Sequence, residues 1–261
     1  MKHISNYIIA MLLLAAVVTS CKKDREVLKE TSSITIVNCM TTGNTIFPAL
    51  TDPQHLGFSN KVMGLRPLQE FLTEGFAAKI WGLNSGTAPL KIYVFPDSLS
   101  PAITKNIDLK AGDIYSLYVT GDRNNLDTLL VKDKIPYVAA KDSMIIVRFV
   151  NLIKDGIPLS VNIVDQPAIP AIENLGYKNI TPYQVFRTKK ATTTEECFFY
   201  FELRNALTHE LISTFKYQWY SLGQGSEKSQ LSKTVTGIIQ DYFGTPTCTM
   251  LSQDLMKTNL N

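Results

Sequence analysis

LKAGDIYSLYVTG (residues 109–121) holds the end of one strand, a turn and the whole of the next strand. Ala111-Gly112-Asp113 is turn chemistry, because glycine admits left-handed backbone and aspartate hydrogen-bonds its own main chain. The Tyr-rich segment YSLYVTG (115–121) then runs out to Thr120-Gly121. A connection this short leaves antiparallel pairing as the outcome. Upstream, AKIWGL (78–83), LKIYVF (90–95) and ITKNIDL (103–109) repeat the strand signal, with Asn84-Ser85-Gly86 as punctuation. In LKIYVF, Leu90, Ile92 and Val94 share one face, and Lys91, Tyr93 and Phe95 share the other. Downstream, LSVNIV (159–164), YQVFRT (183–188), CFFYFELR (197–204) and LISTFKYQWY (211–220) continue the pattern. Composition agrees: Val, Ile and Thr supply 63 residues and Ala plus Glu only 25, a bias toward pleated surfaces. Short strands at roughly 8–12-residue intervals with polar turns predict an all-β fold of antiparallel β-sandwiches. The helical candidate is Leu68–Phe76, which Gly75 weakens.

Two segments echo each other. SITIVN (33–38) and IIVRFVN (145–151) both end in Val-Asn, and YSLYVTG and KTVTGII (233–239) share Val-Thr-Gly. Taking Asn38 with Asn151 and Gly121 with Gly237, the landmarks predict a duplicated sandwich. The expected division is 33–138 and 139–244, with a C-terminal tail over 245–261.

The N-terminus reads as an address. In MKHISNYIIAMLLLAAVVTSC (1–21), Lys2 and His3 precede an apolar run from Tyr7 to Val18. That run is shorter than the roughly 20 residues needed to cross a bilayer, so a signal peptide over 1–20 is expected. Val18-Thr19-Ser20-Cys21 resembles the lipobox of bacterial lipoproteins, which implies lipidation at Cys21. Residues 21–32 then read as lipidated cysteine and flexible tether, charged and apolar-poor. Lys22-Lys23-Asp24-Arg25-Glu26 also resembles the export signals of Bacteroidota surface lipoproteins. Removing residues 1–20 takes Lys2 alone among the charged side chains, so the formal +3 falls by one. That balance excludes the concentrated basic face of a nucleic-acid binder.

SITIVN, IIVRFVN and above all LKAGDIYSLYVTG resemble the tandem immunoglobulin-like domains of Bacteroidota outer-membrane lipoproteins, a family with no generally assigned activity. The resemblance implies two immunoglobulin-like sandwiches on a lipid anchor at the outer membrane, and it implies no catalytic residues.

Chemistry is sparse. An enzyme needs a nucleophile, base or metal at working distance. His55 and His209 fall in different halves, and His209-Glu210 lacks the second histidine of a zinc-protease motif because Ser213 stands there. Glu195 and Glu196 are adjacent, so in a strand they would point to opposite faces. Gly225-Ser226-Glu227-Lys228-Ser229 lacks the glycine that a phosphate loop places before its lysine. No catalytic set, metal site or cofactor is expected. Cys39, Cys197 and Cys248 leave two readings: a Cys197–Cys248 bridge, or three buried free thiols.

Aromatics are the natural binding residues, since a flat ring stacks on the apolar face of a sugar. Trp81, Tyr217, Trp219 and Tyr220 are the candidates, with Tyr217 and Trp219 sharing one face that could equally be core. Asp97-Ser98-Leu99, Asp127-Thr128-Leu129 and Asp142-Ser143-Met144 resemble the O-glycosylation sequon of exported Bacteroidota proteins, and equally ordinary Asp/Ser turns. The expected function is non-catalytic: a surface binding or adhesion module for a glycan or an envelope protein, held on the membrane through its lipid anchor. The alternative is a subunit of a fimbria-like assembly.

Overall fold

The computed structural model describes residues 30–50, 64–68, 77–139, 143–154, 156–164, 170–188, 193–221, 229–230 and 234–252. The signal peptide, Cys21, most of the tether, His55, Asp142, the Leu68–Phe76 candidate beyond Leu68 and most of the 223–232 loop lie outside them.

Strand-forming residues bounded by turn residues give the first half β1 (Thr31–Met40), β2 (Ile46–Ala49), β3 (Ala78–Asn84), β4 (Gly86–Val94), β5 (Ile103–Leu109), β6 (Ile114–Gly121) and β7 (Leu126–Asp133). They form a four-stranded sheet, β3-β1-β6-β7, facing a three-stranded sheet, β2-β4-β5. Ile34, Ile36, Leu90, Ile92, Val94, Leu117 and Val119 fill the space between the sheets.

The second half carries β8 (Met144–Asn151), β9 (Leu159–Ile163), β10 (Pro170–Leu175), β11 (Gln184–Arg187), β12 (Phe198–Asn205), β13 (Leu211–Gln218), β14 (Tyr220–Ser221), β15 (Ser229–Gln230), β16 (Thr234–Tyr242) and β17 (Thr245–Ser252). Sheets β11-β8-β16-β17 and β10-β9-β12-β13 enclose an aromatic core. There Phe201 stacks on Phe215 at 5.2 Å and meets Phe149 edge-on at 5.8 Å.

The fold is all-β sandwich, as the alternation predicts, but the pairing is not antiparallel throughout, and β5 and β6, joined by the short Ala111-Gly112-Asp113 turn, lie in different sheets instead of pairing. β1 runs parallel to β6, and β8 parallel to β16. A parallel neighbour needs a long crossover, and the whole of β2–β5 or β9–β15 supplies one. Thr245–Ser252, expected within a C-terminal tail, is strand β17, paired with β16 through a two-residue turn.

Sheets β3-β1-β6-β7 and β11-β8-β16-β17 repeat one strand order, while the Val-Thr-Gly landmark falls out of register. Asn38 and Asn151 repeat one device: each amide donates to a carbonyl (Leu65 at 2.8 Å, Leu175 at 2.9 Å) and each Oδ1 accepts the N–H two residues on. With these aligned, Val119 opposite Asn38 corresponds to Ile239 opposite Asn151. Gly121 then lies two residues after its reference strand position and Gly237 two before. Their roles differ. Gly121 has φ +91° at a turn, whereas Gly237 lies under Phe149, where a Cβ would come within 2.4 Å of the ring.

The two sandwiches share a seam. Odd positions of β1 (Val37, Cys39) and even positions of β6 and β8 (Tyr118, Val150) turn away from their own cores and pack together with Leu152 and Ile238. Central strands are therefore buried on both faces, and the chain from Thr31 onward is one compact unit.

Candidate functional site

The seam carries the buried charges. Arg148 on β8 donates from Nη2 to Asp133 Oδ1 at the end of β7 (2.6 Å) and from Nε to Thr236 Oγ1 (3.0 Å). The Ser116 hydroxyl donates to Asp133 Oδ2 (2.6 Å), and the guanidinium lies 4.8 Å from the Tyr183 ring centroid. Burial alone would lower the Arg148 pKa, but Tyr118, Asp133 and Tyr183 outweigh it and hold the guanidinium charged. Burial raises the Tyr118 phenol far above its usual range. Both side chains are buried, and the pair joins β7 of the first half to β8 of the second, so it reads as a structural clamp between the halves. At the seam's rim, Asp127 accepts Tyr177 Oη (2.9 Å) and Lys178 Nζ (2.5 Å) from the second half.

The sequence candidates scatter. Tyr217 and Trp219 do share a face, and that face is core: Trp219 is 4% exposed. Packing against Phe199 and its neighbours buries both in the core, so neither ring is open to a ligand. Trp81 is half-buried on edge strand β3, its ring 5.5 Å from Lys79 Nζ. Tyr220 belongs to β14, with its side chain outside the described residues. Cys197 and Cys248 border the same core and are both free, so the bridge is not formed; Cys39 is a free thiol buried in the seam. Ser98 is half-buried beside Asp97, whose carboxylate accepts the Leu99 and Ser100 N–H groups. Thr128 Oγ1 accepts from Lys105, while Ser143 is exposed at the start of β8. His209 sits in the expected β12–β13 hairpin turn. Among the described residues, no group of three or more His, Cys, Asp or Glu is placed to hold a metal.

A different surface emerges from strand direction. β1, β4 and β6 run one way in the first half, β8, β12 and β16 one way in the second. Cross-seam bonds join the same ends of both: Phe243 N–H to Thr41 C=O (2.8 Å) and Thr120 Oγ1 to Leu152 C=O (3.5 Å). Loops 41–45, 95–102, 122–125, 152–154, 156–158, 206–210 and 243–244 therefore gather at one end, and Thr31 lies at the other. Phe95, Leu99, Ile157, Leu207, Leu211 and Phe243 are exposed at that loop end. Arg123, Lys154 and Arg204 alternate there with Asp97, Asp122 and Glu210, so the charge is balanced.

Phe243 is the unusual member. It is 66% exposed, with φ +49°, and with Gly244 (φ +80°) forms the two-residue turn between β16 and β17. Such turns favour Asn-Gly, because both central residues are left-handed. A bulky side chain there costs about 1–2 kcal/mol. Sequence reasoning missed this residue, although Phe243-Gly244 between two strand-like runs is a readable turn signal.

Neither a protein-family model nor a curated protein matches the chain. Among solved structures it is similar to the Bacillus anthracis TIE protein, at 10% identity and a TM-score of 0.22. That alignment covers 81% of this chain and 34% of the other, so the chain spans about a third of that structure's length.

Proposed function

We propose that the protein is a non-catalytic lipoprotein of the cell envelope, anchored to the outer membrane through Cys21, that binds a glycan or an envelope protein with the loop end of its two stacked sandwiches. One observation carries this reading. Six of the nine exposed large apolar side chains among the described residues lie at the end away from Thr31, to which the tether is joined; Ile114, Tyr137 and Val185 lie elsewhere. Exposed apolar groups gathered on one face mark an interaction surface, because burying them in a partner is favourable. A tether at one end and apolar loops at the other would present those loops outward. The balanced charge fits neither nucleic acid nor an anionic lipid surface, each of which calls for clustered basic residues.

The anchor is tested by labelling cells with an alkyne-bearing fatty acid. The wild-type chain should take the label and fractionate with outer membrane, and Cys21→Ser should do neither. An unlabelled, released wild-type protein would refute the anchoring. The binding end is tested by cell-surface adhesion of the mature chain and of a Leu99→Ser/Leu207→Ser/Phe243→Asn variant. Equal adhesion by both would refute it.

A further inference from the structure

We infer that β1 is the load-bearing strand of the molecule: a pull entering from the tether at Thr31 and opposed at the loop end is held in shear along the length of β1. The inference rests on the proposed anchor and binding end, which supply the two ends of that load. β1 runs from the tether side to the loop end, and its residues 33–40 pair in parallel with 114–121 of β6. On its other edge, 31–37 pair antiparallel with 78–84 of β3.

The hydrogen bonds show how the strand is gripped. The Gly112 N–H donates to the Thr31 carbonyl (2.8 Å) and the Ser33 N–H to the Asp113 carbonyl (3.1 Å). At the far end, the Thr41 N–H donates to the Gly121 carbonyl (2.9 Å). Odd residues of β1 thus turn their main chain toward β6, while the Asn38 N–H donates to the Ala77 carbonyl on the β3 side (2.9 Å). These bonds run from strand to strand, so a pull along β1 strains all of them together and the ladder must slip as a unit. The faces hold the strand as well. From Ile34 to Met40 only Thr35 is polar besides Asn38, and slippage would drag Ile34 and Ile36 out of the first core and Val37 and Cys39 out of the seam.

The load does not stay in one strand. Ser33, Ile114 and Asp133 stand in one row across β1, β6 and β7, at the end where the pull enters. The Asp133 carboxylate accepts from Ser116 on β6 and from Arg148 on β8, both at 2.6 Å, and so ties that end of the sheet to the second sandwich. Nearer the loop end, Tyr177 and Lys178 of the second half grip Asp127 on β7.

The test pulls single molecules of the mature chain through azide-bearing residues placed at pairs of exposed positions. Handles replacing Glu30 and Asn124 lie before β1 and after β6, at opposite ends of the ladder, and load it in shear. Handles replacing Glu30 and Lys110 lie at the same end, where the bond between Thr31 and Gly112 opens first and the others follow in turn. At equal loading rate the shear pair should need about twofold more force or more, because single bonds contribute little when broken one at a time. Its rupture should release the first half in one step of roughly 300 Å, from ~94 residues at about 3.6 Å each less about 30 Å of folded span. Equal forces in the two geometries would overturn the inference, as would a first step at low force that frees β1 alone. Neither measurement uses lipid or ligand, so the two readings fail separately. An unlabelled Cys21 overturns the anchor and with it the load on β1, whereas equal forces overturn the clamp and leave the anchor standing.

Discussion

Replacing Arg148 with alanine strips the Asp133 carboxylate, whose side chain is 1% exposed, of its ion-pair partner inside the seam. The Ser116 hydroxyl remains as its hydrogen-bond donor, and Thr236 and Tyr183 lose the guanidinium they contact. Breaking a buried pair by removing one member costs about 3–5 kcal/mol, mostly because the other charge stays buried. The folded unit has a total stability of about 5–15 kcal/mol to draw on. At about 2–4 °C per kcal/mol for a chain of this size, Arg148→Ala should lower Tm by about 6–20 °C. Replacing both partners, as Arg148→Met with Asp133→Leu, should recover most of that loss, since apolar groups need no pairing. Urea unfolding followed by tryptophan fluorescence and by calorimetry measures both. A loss below about 1 kcal/mol for Arg148→Ala, or a double variant worse than the single one, would refute the clamp.

Asn38→Ala and Asn151→Ala should each cost about 1–3 kcal/mol in urea unfolding, because each leaves buried backbone groups without partners. Similar losses at the two sites would mark the device as duplicated, and a negligible loss at one would not. Cys39, whose thiol burial pushes far up, should resist iodoacetamide at pH 8 until the protein unfolds; rapid native labelling would contradict its place in the seam. Acid should erode stability from about pH 4 downward. Asp97 (bonded by the Ser100 and Leu99 N–H groups), Asp113 (by Lys132) and Asp122 (by the Asn124 and Asn125 N–H groups) all titrate below the usual carboxylate range. A depressed folded pKa contributes stability above the unfolded pKa and loses it as pH falls through the folded one, so a flat Tm between pH 5 and 2 would refute it.

Period-two alternation made most of the strands legible before any fold was visible. LKIYVF placed Leu90, Ile92 and Val94 on one face, and they do meet in the first core. LISTFKYQWY put Tyr217 and Trp219 together, and they do meet in the second. Alternation is a local property of the pleat, so a few residues suffice to state it. β17 was missed because TPTCTMLS alternates weakly, and its strand character comes from pairing with β16. The Val-Thr-Gly match misled for a related reason. Local likeness does not set register, and only pairing with β1 and β8 shows Gly121 and Gly237 out of step.

The loop end was not legible. Phe95 and Phe243 are far apart in sequence, and they come to one loop only because the ends of β4 and β16 both reach the loop that follows β1. By itself the sequence determined that this chain alternates into strands, where it turns, and which side chains share a face. What the second face of each central strand touches depends on partners distant in the chain. Only tertiary structure therefore decided that Val37, Tyr118 and Val150 form a seam, that Arg148 meets Asp133, and that one end collects the exposed apolar loops. Alternation divides side chains between two faces of a strand, whereas contact between faces is set by how the sheets stack.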